Sequence, residues 1–312
     1  MPSARSKGRG SAAGKVALVA ALFAATAATA KPFGLDTDTR LQIALERQGF
    51  SVNCIDGVWG EKCDAALAAW LEAQGRAPQA SRRDLLKDLE NGLAPYRLCR
   101  VTSADLASLV AIPAAPADKA RLDAMGYETL LEIFAERGHT SQRAMRKMNP
   151  SVAWPNPPPG TLVRLPHVAT TNPPPKAARI EISLSRYHVR LYDRSGRLIA
   201  YYPCSIAAEK RHLPDVGEWH VKGIAPHPNY TYTDSRKDAT GKRRKYIYPA
   251  GPNNPVGSAW IGLNLPTYGI HGTPNPETIG RAESHGCFRL ANWNAERLRD
   301  QVSEGTRVII RD

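Results

Sequence analysis

Past three consecutive prolines, Pro173 to Pro175, the chain changes character. Short runs then alternate apolar and polar residues: Ile180, Ile182 and Leu184, next Val189 and Leu191, next Leu198 to Ile206, next Trp219 to Ile224. A period of two sends successive side chains to opposite faces of a strand, so these runs are expected as β-strands. Asp193-Arg194-Ser195-Gly196-Arg197 reads as the hairpin turn between two of them. Near the end, Asn292 or Asn294 is expected to cap a helix running through Leu298 and Val302, and Thr306 to Ile310 to form a last strand. Many strands with little helix predict a mainly β domain over residues 179–312, of sandwich or barrel type. The prolines ahead of it, within residues 168–178, favour an extended, semi-rigid linker.

Inside that domain, the stretch from His271 to Arg289 reads HGTPNPETIGRAESHGCFR. It gathers two histidines, His271 and His285, and one cysteine, Cys287, with Gly272 and Gly286 beside them and Ser284 and Arg289 flanking. A thiol attacks as thiolate, so an imidazole that takes its proton makes it reactive near neutral pH. Gly286 lets backbone approach a substrate carbonyl closely, and neighbouring N–H groups can then hold an oxyanion. Spacing alone favours His285 as the partner, because residues i and i+2 share a face of a strand. Two His and a Cys are also zinc ligands, but a closed structural site wants four ligands in paired spacings, and no such pair is present. No metal is expected, and no cofactor, since a thiolate and an imidazole suffice for acyl transfer.

The string SHGCFRL, preceded by GIHGT, resembles the active-site signature of the YkuD-type L,D-transpeptidases, which crosslink bacterial peptidoglycan through a cysteine acyl-enzyme. The pieces IEISLSRYHVRLY, YYPCSIA and YPAGPNNPVGSAWIGL are similar to the same family. The resemblance implies that Cys287 is the nucleophile and that His271, not His285, takes its proton and returns it to the leaving amine. It further implies that the Gly272 carbonyl orients His271, that His285, Gly286 and the Cys287 backbone line the oxyanion side, and that Ser284 and Arg289 serve substrate binding, Arg289 near a carboxylate. The implied reaction joins a tetrapeptide stem, cut after its third residue, to an amine of a second stem. A carboxypeptidase or endopeptidase using the same groups, transfer to a protein amine, and an inactive wall-binding protein are the alternatives.

Upstream, Arg5, Lys7, Arg9 and Lys15 precede an apolar run from Val16 to Ala25 and an Ala28-Thr29-Ala30 cleavage site, so residues 1–30 read as a secretory signal peptide. The run is too short for a membrane span. Its four basic and no acidic residues lower the formal charge from +13 to +9 on removal. A basic surface suits nucleic acid, but an exported chain in the periplasm or envelope meets the cell-wall polymer and its acidic stems instead. Five cysteines leave an odd one, as a free nucleophile requires. Cys54, Cys63 and Cys99 offer alternative disulfide pairings, and Cys204 reads as a buried free thiol. Nothing in the sequence fixes an oligomeric state.

Two small modules are expected before the linker. Residues 35–76 show helix, turn, helix, and Ile55-Asp56-Gly57-Val58-Trp59-Gly60 resembles the IDGxxG turn of the helical peptidoglycan-binding-like module. Residues 122–167 resemble a LysM-type glycan-binding repeat in the landmarks Met148-Asn149-Pro150 and PGTLVRLP, although its opening strand is not evident. Ala111 to Ala117 reads as a linker. Pro226 to Gly257 reads as a long polar loop, expected as a lid whose tyrosines pack on a peptide and whose cations at 242–245 meet its carboxylates.

Overall fold

The computed structural model describes residues 37–77, 81–90, 92–169, 173–237, 240–284 and 286–312. The expected export segment, residues 1–30, lies outside them, as does His285. Among the described residues no helix is long and apolar enough to cross a membrane.

The chain begins with α1 (Thr37–Gln48) and α2 (Glu61–Ala73), joined through the IDG turn. Buried Gln42 of α1 organises that turn, accepting from the Gly57 N–H at 2.9 Å and donating to Asp56 Oδ1 at 3.1 Å and the Val58 carbonyl at 3.0 Å. Gly57 sits at φ +74°, a conformation that favours a residue without Cβ. Next come α3 (Arg82–Leu89), capped by Ser81, and the strand β1 (Tyr96–Arg100). The short helices α4 (Ser103–Ala107) and α5 (Pro116–Lys119) precede α6 (Leu130–Arg137) and α7 (Gln142–Met148), which start on the side-chain caps Thr129 and Ser141. The strand β2 (Leu162–Pro166) then pairs antiparallel with β1, Tyr96 opposite Pro166. Residues 101–129 lie between β1 and α6. Val101, Leu130, Phe134, Met145, Val163 and Leu165 form the core of this βααβ unit.

The strands that follow are β3 (Arg179–Ser183), β4 (His188–Tyr192), β5 (Leu198–Pro203), β6 (Ile206–Ala207), β7 (Gly217–Pro226), β8 (Tyr230–Lys237), β9 (Arg243–Tyr248), β10 (Ala259–Leu263), β11 (Gly269–His271), β12 (Ala282–Ser284) and β13 (Phe288–Arg289), with α8 (Asn292–Gln301) and β14 (Arg307–Arg311) at the end. Eight of them make one mixed sheet in the order β13-β11-β10-β7-β14-β3-β4-β5, mostly antiparallel, with parallel pairs at β11–β13 and β14–β3. Its inner face and α8 bury Ile180, Val189, Val221, Ile261, Phe288 and Leu298. The mainly β domain expected from the alternating runs is therefore present, with helices gathered toward the amino terminus.

Three expectations are corrected. The stretch read as a polar loop contains the β8–β9 hairpin, Tyr230 opposite Tyr248 and Tyr232 opposite Tyr246. It escaped the period-two pattern because both of its faces carry polar or aromatic residues. Neither Asn292 nor Asn294 caps α8: Ala291 holds the cap position with no side-chain bond, and both asparagines are buried and tie α8 to other segments. No disulfide forms among Cys54, Cys63 and Cys99, which are all free thiols, so none pins the helical pair. What holds α1–α3 is docking on β5, which is buried along its whole length.

Candidate active site

Register decides which side chains meet. Antiparallel pairing puts Trp260 of β10 beside His271 of β11, and parallel pairing puts His271 beside Arg289 of β13. The intervening row, Ile261, Ile270 and Phe288, points into the core and is fully buried. Alternation then sends Trp260, His271 and Arg289 to the opposite face, with Cys287 two residues before Arg289 on that same side. All four line a groove of about 1210 Å³. His271 and Trp260 stack with ring centroids 5.6 Å apart and planes 18° apart.

His271 is 5% exposed, and its Nδ1 lies 2.7 Å from the Gly272 carbonyl. A carbonyl only accepts, so Nδ1 carries the proton and Nε2 is left as the basic nitrogen. The tie is tightly held. A Cβ on Gly272 would lie 2.2 Å from Asn292 Oδ1, and one on Gly257, at φ +64°, would lie 2.1 Å from the same atom. Asn292 in turn accepts from the Ser258 N–H at 3.2 Å and donates to the Pro252 carbonyl at 3.1 Å. Burial pushes the His271 pKa down to about 4, helped by the Arg289 charge and opposed by the Gly272 bond.

The Cys287 thiol donates to the Thr267 carbonyl at 3.5 Å. Thr267 holds φ +70°, an uncommon conformation for a β-branched residue, in the turn between β10 and β11. Burial raises the thiol pKa, while a hydrogen bond from the Gly269 backbone and the Arg289 charge pull against it. Both shifts favour the neutral forms, so the resting pair is thiol and imidazole. Gly286, at φ +149°, turns the chain immediately before Cys287. Ser284 ends β12, paired in parallel with Ala207 of β6.

The structure thus brings His271, Gly272, Gly286, Cys287 and Arg289 to one site. Among the described residues, no three His, Cys, Asp or Glu side chains converge as metal ligands do. The other wall comes from elements that sequence reasoning treated differently. Tyr230, Tyr232 and Tyr248 of the hairpin line the groove, Tyr232 and Tyr248 stacked at 5.5 Å, whereas the exposed cations at 242–245 lie outside its lining. Ala114, Pro116 and Lys119, from the stretch read as a linker and just beyond it, also line it. Trp260, Thr267 and Lys119 went unnoticed in the sequence, and Asn292 was read only as a helix cap. Trp260, inside a run similar to the family's, carried the one usable signal.

Comparison with known proteins agrees with this picture. Residues 177–310 match the family model described as the YkuD L,D-transpeptidase catalytic domain. A protein named for L,D-transpeptidase activity, YkuD of Bacillus licheniformis, is 31% identical over 180 residues, which are 58% of this chain and 92% of that protein. YbiS of Escherichia coli K12, likewise named for that activity, is 30% identical over 185 residues, 57% of this chain and 58% of the relative. YqjB of Bacillus subtilis is 36% identical over 105 residues, and the chain spans 53% of its length. An Enterococcus faecium L,D-transpeptidase catalytic domain solved by NMR is 19% identical over 43% of this chain and 97% of that one, with a TM-score of 0.33, too loose a superposition to bear weight.

Proposed function

Since the chain belongs to the YkuD family of L,D-transpeptidases, we propose that it is an exported enzyme that acylates Cys287 with a peptidoglycan tetrapeptide stem and passes the acyl group to an amine of a second stem. The observation that carries the reading is the shared face of His271, Arg289 and Cys287 at an open groove, with the Nδ1 proton of His271 committed to Gly272.

In the first half-reaction Cys287 Sγ attacks the carbonyl between the third and fourth residues, and its proton passes to Nε2 of His271. Because thiol and imidazole both rest neutral, the transfer accompanies attack. The oxyanion is held by backbone N–H groups on the Gly286–Cys287 side. Collapse breaks the C–N bond, and the imidazolium returns the proton to the departing D-alanine amine. In the second half an acceptor amine attacks the thioester, His271 takes a proton from it, and the thiol is restored as the new amide forms. Water in place of the amine gives hydrolysis with the same groups, so exclusion of water sets the partition.

A purified disaccharide tetrapeptide tests the reading by product mass. Wild type is expected to yield a dimer lacking one terminal D-alanine, and Cys287→Ala to yield nothing. Loss of D-alanine without dimer would assign a carboxypeptidase. Turnover by Cys287→Ala would remove the cysteine mechanism.

A further inference from the structure

The βααβ unit is interrupted in an unusual place. Between β1 and α6 the chain first packs Val101, Leu106 and Leu109 on the unit's core, then runs out as an arm through α5 to the catalytic groove. The arm is anchored where it returns: the Met125 N–H donates to the Ala250 carbonyl at 2.8 Å, the Asn253 N–H to the Met125 carbonyl at 3.0 Å, and Asn253 Nδ2 to the Gly126 carbonyl at 3.0 Å. The approach is close enough that a Cβ on Gly251, at φ +148°, would lie 2.2 Å from the Met125 oxygen. The segment receiving it, residues 249–257, links the hairpin to β10, so arm, hairpin and catalytic strands form one wall system.

Two features of the groove make this more than packing. Among the described residues its lining contains a lysine and an arginine, Lys119 of α5 and Arg289 of β13, and no Asp or Glu. Lys119 is half-buried, with Nζ 5.9 Å from the centroid of the Tyr248 ring, and it makes no ion pair among the described residues. Its sequence neighbour Asp118 pairs with Arg121 instead, at 3.0 Å. A half-covered ammonium beside an aromatic face, with no carboxylate among the described lining residues, is matched by an anion arriving with the ligand.

We propose that Lys119 forms a second carboxylate subsite of the groove, separate from Arg289, and that the arm carrying it selects peptides bearing two free carboxylates. The proposal rests on the reading of the groove as a site for wall peptides. Arg289, adjacent to His271 on the sheet, serves a carboxylate near the reacting bond. Lys119, on a different element, serves one further along the peptide, with Tyr232 and Tyr248 packing the chain beside it. The ligand class is an anionic peptide.

Calorimetric titration on the Cys287→Ala protein separates binding from turnover. A tetrapeptide stem with free carboxylates is titrated into that protein and into the same protein carrying Lys119→Met or Lys119→Arg, then the titrations are repeated with the non-terminal carboxylates amidated. Lys119→Met is expected to weaken the free-acid peptide about tenfold, Arg to restore most of it, and the amidated peptide to bind all three alike. Equal affinity of the Cys287→Ala protein and its Lys119→Met form for the free-acid peptide would overturn the subsite. So would an equal loss with the amidated peptide, because packing rather than charge would then be responsible. If wild type forms no dimer yet the Lys119 difference persists, the transferase reading fails and the subsite stands; if the Cys287→Ala protein binds neither peptide, both fall.

Discussion

An imidazole that must act as a base is most useful when its neutral form dominates, and the burial of His271 arranges this. An unperturbed histidine is half protonated near pH 6.5, whereas His271 is pushed down to about 4. The sign follows directly. The active form needs Nε2 unprotonated, so kcat/KM is lost as pH falls through about 4, and it stays flat from about pH 5 to 7. Thiolate formation at higher pH removes no required group, since burial keeps the Cys287 pKa raised. A pH profile of acyl-enzyme formation checks this, and an acid limb near 6.5 would mean that burial does not depress the His271 pKa. The same depression bears on stability. The unfolded chain binds a proton at His271 below about 6.5 that the folded chain refuses until about 4, so folding free energy declines across that window as pH falls.

At the scale of elements, the hairpin shows what a sequence displays and what it hides. Strands such as β3 and β4 bury one face, and Ile180, Ile182, Val189 and Leu191 advertise them. The β8–β9 pair buries neither face in a hydrophobic core, so its pattern has no apolar side to read. The His–Cys stretch was legible because its residue types are chemically rare together, yet the pairing of His271 with Trp260 and Arg289 follows from a register between strands that no local pattern specifies. Lys119 was illegible for the same reason: a proline-flanked stretch reads as a connector until tertiary structure brings it to the groove. The hairpin's function can be separated by side chain. Replacing the cations at 242–245 with neutral residues is expected to leave KM within about twofold, because they are exposed and outside the groove. Tyr248→Ala, which removes the ring stacked on Tyr232 and facing Lys119, is expected to raise KM about tenfold with little change in kcat. The opposite ranking, read from steady-state kinetics on a peptide stem, would return the lid role to the cations.

For the molecule as a whole, β5 is the strand that joins its parts. Ile199, Ala200 and Tyr202 belong to the core of the large sheet, while Leu198 and Tyr201 belong to the core built with α1, α2 and α3. That two-sided burial is why LIAYYP reads as a continuous apolar run. As the last strand of the sheet it also exposes an unpaired edge, and the chain after α1 covers it: the Ser51 N–H donates to the Tyr201 carbonyl at 2.8 Å, and the Tyr201 N–H to the Gly49 carbonyl at 2.9 Å. The βααβ unit is tied in as well, through His139, which stacks on Trp293 of α8 at 5.1 Å and lies 3.0 Å from Glu46 of α1. Cores that share a strand and a stacked pair have no weak seam at which to open separately. Calorimetry is therefore expected to show one transition for residues 37–312, with the enthalpy of a single cooperative unit. Tyr201→Ala is expected to lower that transition as a whole, by about 3 kcal/mol of stability, the usual cost of deleting a buried aromatic ring. A mutant whose amino-terminal helices melted first, leaving the sheet's own transition at its wild-type temperature, would show that β5 does not couple the two cores and that the helices are an appended module after all.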